Sequence, residues 1–357
     1  MQVKTLSTSR YNSTNVSASV VISGTQKAIF GYGFDGSNVI SVTNLVSNTG
    51  VVATNTTGVG TARNGLAAAG YGTDKAIFGY GNTGAYVSMT NLVSNTGVVA
   101  TDTTGVGTVR RDLAAVGYGT DKAIFGYGNT GAVVSMTNLV SNTGVVATDI
   151  TGVGTARNNL RAAGYGTDKA IFGYGNTGAV VSMTNLVSNT GVVATDTTGV
   201  GTARQVLAAA GYGTDKAIFG YGYIGSGVSV TNLVNNTGVV AIDTTGVGTA
   251  RWSLAAAVYS SDKAIFGYGF DGSNNLSMTN LVSNTGVVAT DTTGVGTARH
   301  ILAAAGYGSD KAIFGYGYSS VSVSMTNLVS NTGVVATDTT GVGTARQRLA
   351  AAGYSTS

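Results

Sequence analysis

One heptapeptide, Lys-Ala-Ile-Phe-Gly-Tyr-Gly, recurs seven times, beginning at Lys27, Lys75, Lys122, Lys169, Lys216, Lys263 and Lys311, with 47 or 48 residues between successive starts. Units 122–168 and 169–215 differ at only four of 47 positions: Ile150/Thr197, Asn158/Gln205, Asn159/Val206 and Arg161/Ala208. Near-identical units need near-identical surroundings, which a closed ring or a solenoid supplies.

Within the unit that starts at Lys75, four short segments are rich in β-branched, aromatic or small residues: 75–80, 87–93, 98–102 and 113–118. Gly-, Asn- and Thr-rich turns separate them, as between antiparallel strands. Helical solenoids are disfavoured, because Gly and Thr interrupt every candidate helix and the apolar pattern never takes a 3.6-residue period. Four strands per unit and seven units predict an all-β, seven-bladed β-propeller of four-stranded antiparallel blades. The innermost strand crowds its counterparts at the axis and needs small side chains, so Leu-Ala-Ala-Ala-Gly-Tyr-Gly is the inner strand. The Lys-Ala-Ile-Phe strand is then second, Val-Ser-Met-Thr-Asn-Leu-Val third and Gly-Val-Val-Ala-Thr-Asp outermost.

With an Arg opening the small-residue strand, a Lys-initiated apolar strand ending in glycines, two further strands and a return to Arg, the repeat resembles the kelch family over residues 15–354. The Gly-Tyr-Gly and Thr-Asn-Leu-Val repeats are also similar to propeller modules of phage and other virion fibre or tail proteins. The first resemblance implies a kelch-like propeller, with a kelch-type protein-interaction adaptor inside the cell as one role. It does not carry over the activity of kelch-like galactose oxidases, which need two His and a Cys-linked Tyr at copper. This chain has one His and no Cys.

Ring closure needs a strand from the far end of the chain, since an open ring leaves two unpaired edges. Residues 346–354 are an eighth copy of the inner strand and are favoured over 16–22, which has Val20, Val21 and Ile22 where Ala is expected. The domains expected are therefore an N-terminal arm or extra strand at 1–24 and the propeller at 25–357.

Positions that vary among otherwise identical repeats are those the fold does not dictate. They fall in the pair after the inner-strand Arg and in the connection from second to third strand, which strand alternation puts on one face. Phe34, Asp35, Tyr86, Arg111, Asp112, Tyr223, Ile224, Trp252, Phe270, Asp271, His300, Tyr318 and Arg348 lie there. Aromatics and Arg dominate binding hot spots, so this face is the candidate binding surface for a glycan or protein. Arg63, Arg110, Arg157, Arg204, Arg251, Arg299 and Arg346 recur once per unit, as does an acid at Asp102, Asp149, Asp196, Asp243, Asp291 and Asp338, with Asn55 in the first unit. This ring of Arg reads as structural, paired with the acids.

Composition excludes other chemistries. Without Cys there are no disulfides or thiolate metal sites, and lone His300 lacks partners for a triad or a His-based metal centre. No glycine run opens a helix as a phosphate loop does. A net charge of +4 is dispersed, giving no nucleic-acid surface. No stretch is apolar enough for membrane insertion, and 1–19 lacks a signal-peptide pattern. Only Asp-built calcium sites stay open, and none is assigned. The sequence reading is thus a non-catalytic, cofactor-free recognition or structural propeller, of a virion or the cytoplasm, binding on its variable face, with the arm free for an assembly partner. An adaptor is the alternative and a carbohydrate-active enzyme the third reading.

Overall fold

A computed structural model describes residues 26–355, and every regular element among them is a β-strand. Seven three-stranded antiparallel sheets repeat the same pattern. In blade 2 the inner strand Ala67–Tyr71 pairs with Lys75–Asn82, which pairs with Tyr86–Val93. The inner strands contact one another in unbroken cyclic order, so the sheets form a seven-bladed propeller.

The expected fourth strand is reduced to isolated bridges, in blade 1 Val46 to Val52 and Thr43 to Thr56. The Thr-Thr-Gly-Val-Gly stretch beyond it has few apolar side chains to bury, and its polar groups find other partners. In blade 2 the Thr103 N–H and hydroxyl both donate to the Thr90 carbonyl at one such bridge (2.9 and 3.0 Å), while Asp102 beside it accepts from the Thr61 hydroxyl and the Asn91 amide.

Gly-Tyr-Gly explains how blades join. Gly79 must be Gly, because a Cβ there would lie 2.7 Å from the Phe125 ring of the next blade. Tyr80 follows in the left-handed region (φ 64°), a register-shifting bulge in the strand. Such a backbone costs on the order of 1–3 kcal/mol for a non-glycine residue. The bulge turns the ring onto the neighbouring blade, where it packs on Phe125 at 5.2 Å. Its hydroxyl donates to the Val106 carbonyl at 3.2 Å.

The Arg110 guanidinium covers the other side of that ring, 4.1 Å from its centroid. All seven Arg are fully buried and repeat this stacking. Arg63 Nε donates to the Tyr80 carbonyl (2.8 Å), Nη1 to the Thr61 carbonyl (2.9 Å) and Nη2 to Asn91 Oδ1 (2.5 Å). Asp102 lies 3.7 Å from Nη1, and the equivalent pair recurs in the next five units. Arg346 has Asn55 where the others have Asp. Burial would raise these Asp carboxyls, but hydrogen bonds from Thr61 and Asn91 at Asp102, with the Arg charge, win and hold each below the usual range.

Closure uses the C-terminal copy: Ala350–Ser355 pairs antiparallel with Gln26–Phe34, matching Lys27 to Tyr354 and Gly31 to Ala350. The arm expected over 1–24, and with it the rival strand 16–22, lies outside the described residues.

Arg157→Ala should lower the unfolding free energy by about 3 kcal/mol in urea titration, since it removes a buried, hydrogen-bonded cation from a blade joint. Asn55→Asp should raise it by about 0.5–1 kcal/mol by supplying the seventh carboxylate; an unchanged value would mean that the Arg346 joint gains nothing from a counter-charge. Because the six Asp are lowered in the folded state, their contribution is present above the ordinary carboxylate value of about 4 and is lost as pH falls through the folded-state values. Unfolding free energy should therefore drop below about pH 4.

Candidate active site

The residue two after each buried Arg sits at the axis. Gly65, Asp112, Asn159, Val206, Ser253, Ile301 and Arg348 all adopt φ between 52° and 60°. Each N–H donates to the carbonyl of the preceding member, from Asp112 to Gly65 (3.0 Å) round to Arg348 to Ile301 and Gly65 to Arg348 (both 3.3 Å). This collar of seven backbone hydrogen bonds closes on itself and fixes where each side chain emerges. Left-handed backbone suits Gly65 and Asn159 but strains β-branched Val206 and Ile301.

A cavity of about 310 Å³ lies at the collar, lined by its members, by five of the leucines that precede the inner strands, and by Arg161. Three charged side chains from separate repeats meet there: Asp112, Arg161 and Arg348. Burial pushes the Asp112 carboxyl up, against the opposing charges of Arg111, Arg348 and Arg161. Burial likewise pushes Arg161 down to about 10, opposed by Asp112. Arg111 holds the acid from outside, with Nε 3.3 Å from Asp112 Oδ2 and its guanidinium 5.4 Å from the Tyr86 ring centroid.

The variable residues do gather at this end of the propeller. The first residue after each Arg bridges to the end of the second strand, as in Arg111 to Asn129, Trp252 to Phe270, His300 to Tyr318 and Gln347 to Phe34. Tyr223 packs on Trp252, and Ile224 is exposed beside it. Of the three acids outside the repeat pattern only Asp112 reaches the cavity. Asp35 and Asp271 instead accept backbone N–H groups of Ser37, Asn38, Ser273 and Asn274, all at 2.7 Å, and shape their turns. The Arg ring is sealed in the blade joints and offers the cavity no charge. Arg161 was not among the candidate residues. Its signal was a charge in the innermost strand, where the other repeats carry Ala.

No family model and no curated protein matches the chain, so the sequence supplies no support for kelch membership or for a phage or virion origin. The structure is similar to a solved one, a fungal alcohol oxidase of the AA5 family in complex with copper, with a TM-score of 0.60 and 12% identity over 89% of this chain and 73% of that one. At that identity the likeness establishes the fold. It also corrects the sequence reading of a non-catalytic recognition or structural component, whether virion adhesin or adaptor, and the exclusion of enzymes that went with it. The scaffold matched is an enzyme's, and one acid, Asp112, and two cations, Arg161 and Arg348, line the axial cavity of this chain.

Copper does not carry over with the scaffold. His300 is the one His; its Nδ1 is 2.6 Å from Asn275 Oδ1 and its ring packs between Phe270 and Tyr318. Among the described residues no three His, Cys, Asp or Glu side chains come together, so the donor set does not fit a copper centre.

If the collar stores strain at its β-branched members, Val206→Gly should raise unfolding free energy by about 1 kcal/mol, and a loss of stability would show that the Val206 side chain contributes more than its backbone costs.

Proposed function

We propose that this propeller is a carbohydrate-active enzyme that cleaves an acidic sugar chain at the axial cavity by β-elimination. The observation that carries the reading is one burial-raised carboxyl, Asp112, in a cavity shared with Arg161 and Arg348. Hydrolysis of a glycosidic bond ordinarily uses two carboxylates flanking the bond. The cavity has one, so the chemistry it suits is proton removal by a single base.

A uronate fits both charge and size. Guanidiniums bind carboxylates through paired N–H donors, and a cavity of about 310 Å³ is at the small end of ligand sites. Arg161 and Arg348 neutralise the substrate carboxylate, which stabilises the negative charge that develops when the adjacent C–H is deprotonated. Asp112 in its ionised form takes that proton. The electron pair forms a C=C bond, the C–O bond to the next sugar breaks, and the same carboxyl returns the proton to the leaving oxygen. Atoms and charge balance without a co-reactant. Burial, which raises the carboxyl, also makes it the stronger base. Asn159 and Ser253, which also line the cavity, offer an amide and a hydroxyl to hydrogen-bond sugar hydroxyls.

Polygalacturonate incubated with the protein should develop the ultraviolet absorbance of a conjugated C=C bond. Asp112→Asn should reduce the rate by about 10²- to 10⁴-fold, and Arg348→Ala should raise KM more than it lowers kcat. The acid limb of kcat/KM should lie above the usual carboxylate value of about 4, because Asp112 must be ionised and its pKa is raised. An Asp112→Asn variant as active as the parent chain would overturn the assignment.

A further inference from the structure

Around the rim of the same face the seven cross-strand bridges are unlike one another. In blades 2 to 4 they are polar: Asn64 to Asn82, Arg111 to Asn129 and Asn158 to Asn176. In blades 5 to 7 aromatic rings take over and touch in sequence. Tyr223 packs on Trp252 (4.9 Å between centroids), Trp252 on Phe270 (5.2 Å), Phe270 on His300 (5.3 Å) and His300 on Tyr318 (5.5 Å). The same positions hold Asn in other blades of identical fold, so these rings are not required to build the propeller. All five are half-buried, with part of each open to solvent.

The arc borders the cavity. Trp252 and His300 are the chain neighbours of the collar residues Ser253 and Ile301, which line it. An arc of half-exposed rings thus borders a pocket carrying Arg348 and Arg161. Pyranose rings present apolar C–H faces that pack on aromatic surfaces while their hydroxyl edges stay in water.

We propose that the arc from Tyr223 to Tyr318 is a platform for the sugar residues of a polymeric, acidic chain beyond the one held at the axis, which makes the substrate a polysaccharide rather than a single sugar. The inference rests on the reading of the axial cavity as the sugar site. The burial of His300 and the nearby Arg348 charge hold its imidazole below the usual range, so at neutral pH it joins the arc as an uncharged ring.

Trp252 is the chain's single tryptophan, so its fluorescence reports this platform alone. In the Asp112→Asn protein, which binds without cleaving, polygalacturonate should shift or quench Trp252 emission, whereas galacturonic acid monomer should not. By calorimetry, Trp252→Ala and Tyr318→Ala should each weaken polymer binding at least roughly tenfold and leave monomer binding unchanged, while Trp252→Phe should stay within about threefold of the parent. Unchanged emission at saturating polymer, or polymer affinity indifferent to both Ala variants, would overturn the platform. If the emission responds but the parent chain does not cleave, the platform stands and elimination at the axis fails. If cleavage proceeds with equal kcat/KM on dimer and polymer, the pocket stands and the platform falls.

Discussion

Seven buried guanidiniums hold this structure together, one at each blade joint. An Arg without water is expensive unless every N–H is answered and its charge balanced. Here most of the answer comes from both sides: Arg63 binds carbonyl and side-chain oxygens of its own blade and lies over Tyr32 of the blade before, 4.2 Å from the ring centroid. In the other six the buried Nε has no hydrogen-bond partner, and the ring stacking and the remaining bonds carry the joint. The same Tyr packs on Phe78, which in turn fills the space that a Cβ at Gly31 would occupy. Cation, ring and glycine seat depend on one another, and the near-invariance of Lys-Ala-Ile-Phe-Gly-Tyr-Gly follows from that mutual fit.

A symmetric ring offers its axis seven equal sides, and equal sides cannot tell one bond of a substrate from another. Function therefore has to come from departures from the repeat. The collar makes such departures cheap in structural terms, because its geometry is held by backbone hydrogen bonds that any residue except Pro can make. Asp112 and Arg348 use that freedom, and Arg161 enters from an inner strand, to break the symmetry at the centre, and the aromatic arc breaks it at the rim. Val206 and Ile301 accept left-handed backbone at this collar, as the bulge tyrosines and the turn residues Thr73, Thr120, Thr167 and Thr214 do elsewhere in the repeats.

The likeness to a copper alcohol oxidase shows how far scaffold and chemistry can separate. A propeller brings loops from every blade to one end, so different side chains there make different sites. In this chain the one His is a member of an aromatic stack and the charges at the axis are an acid and two arginines.

The repeat period by itself determined the blade number, the strand order, the Arg to Asp pairing and the clustering of variable residues at one end, because each follows from local pattern repeated seven times. It also pointed to the closing strand, since 346–354 copies an inner strand that would otherwise be missing. What only tertiary structure decided depends on residues far apart in the chain. The outer strand dwindles to bridges because its polar groups find partners that periodicity cannot reveal. Asp112, Arg161 and Arg348 come from three different repeats and meet only when closure brings the ends of the chain together. Asp35, Asp112 and Asp271 look alike in the sequence as acids outside the pattern. The fold separates them, for two cap their own turns and the third is half-buried at the axis, where lost solvation raises its carboxyl although the neighbouring cations oppose the rise.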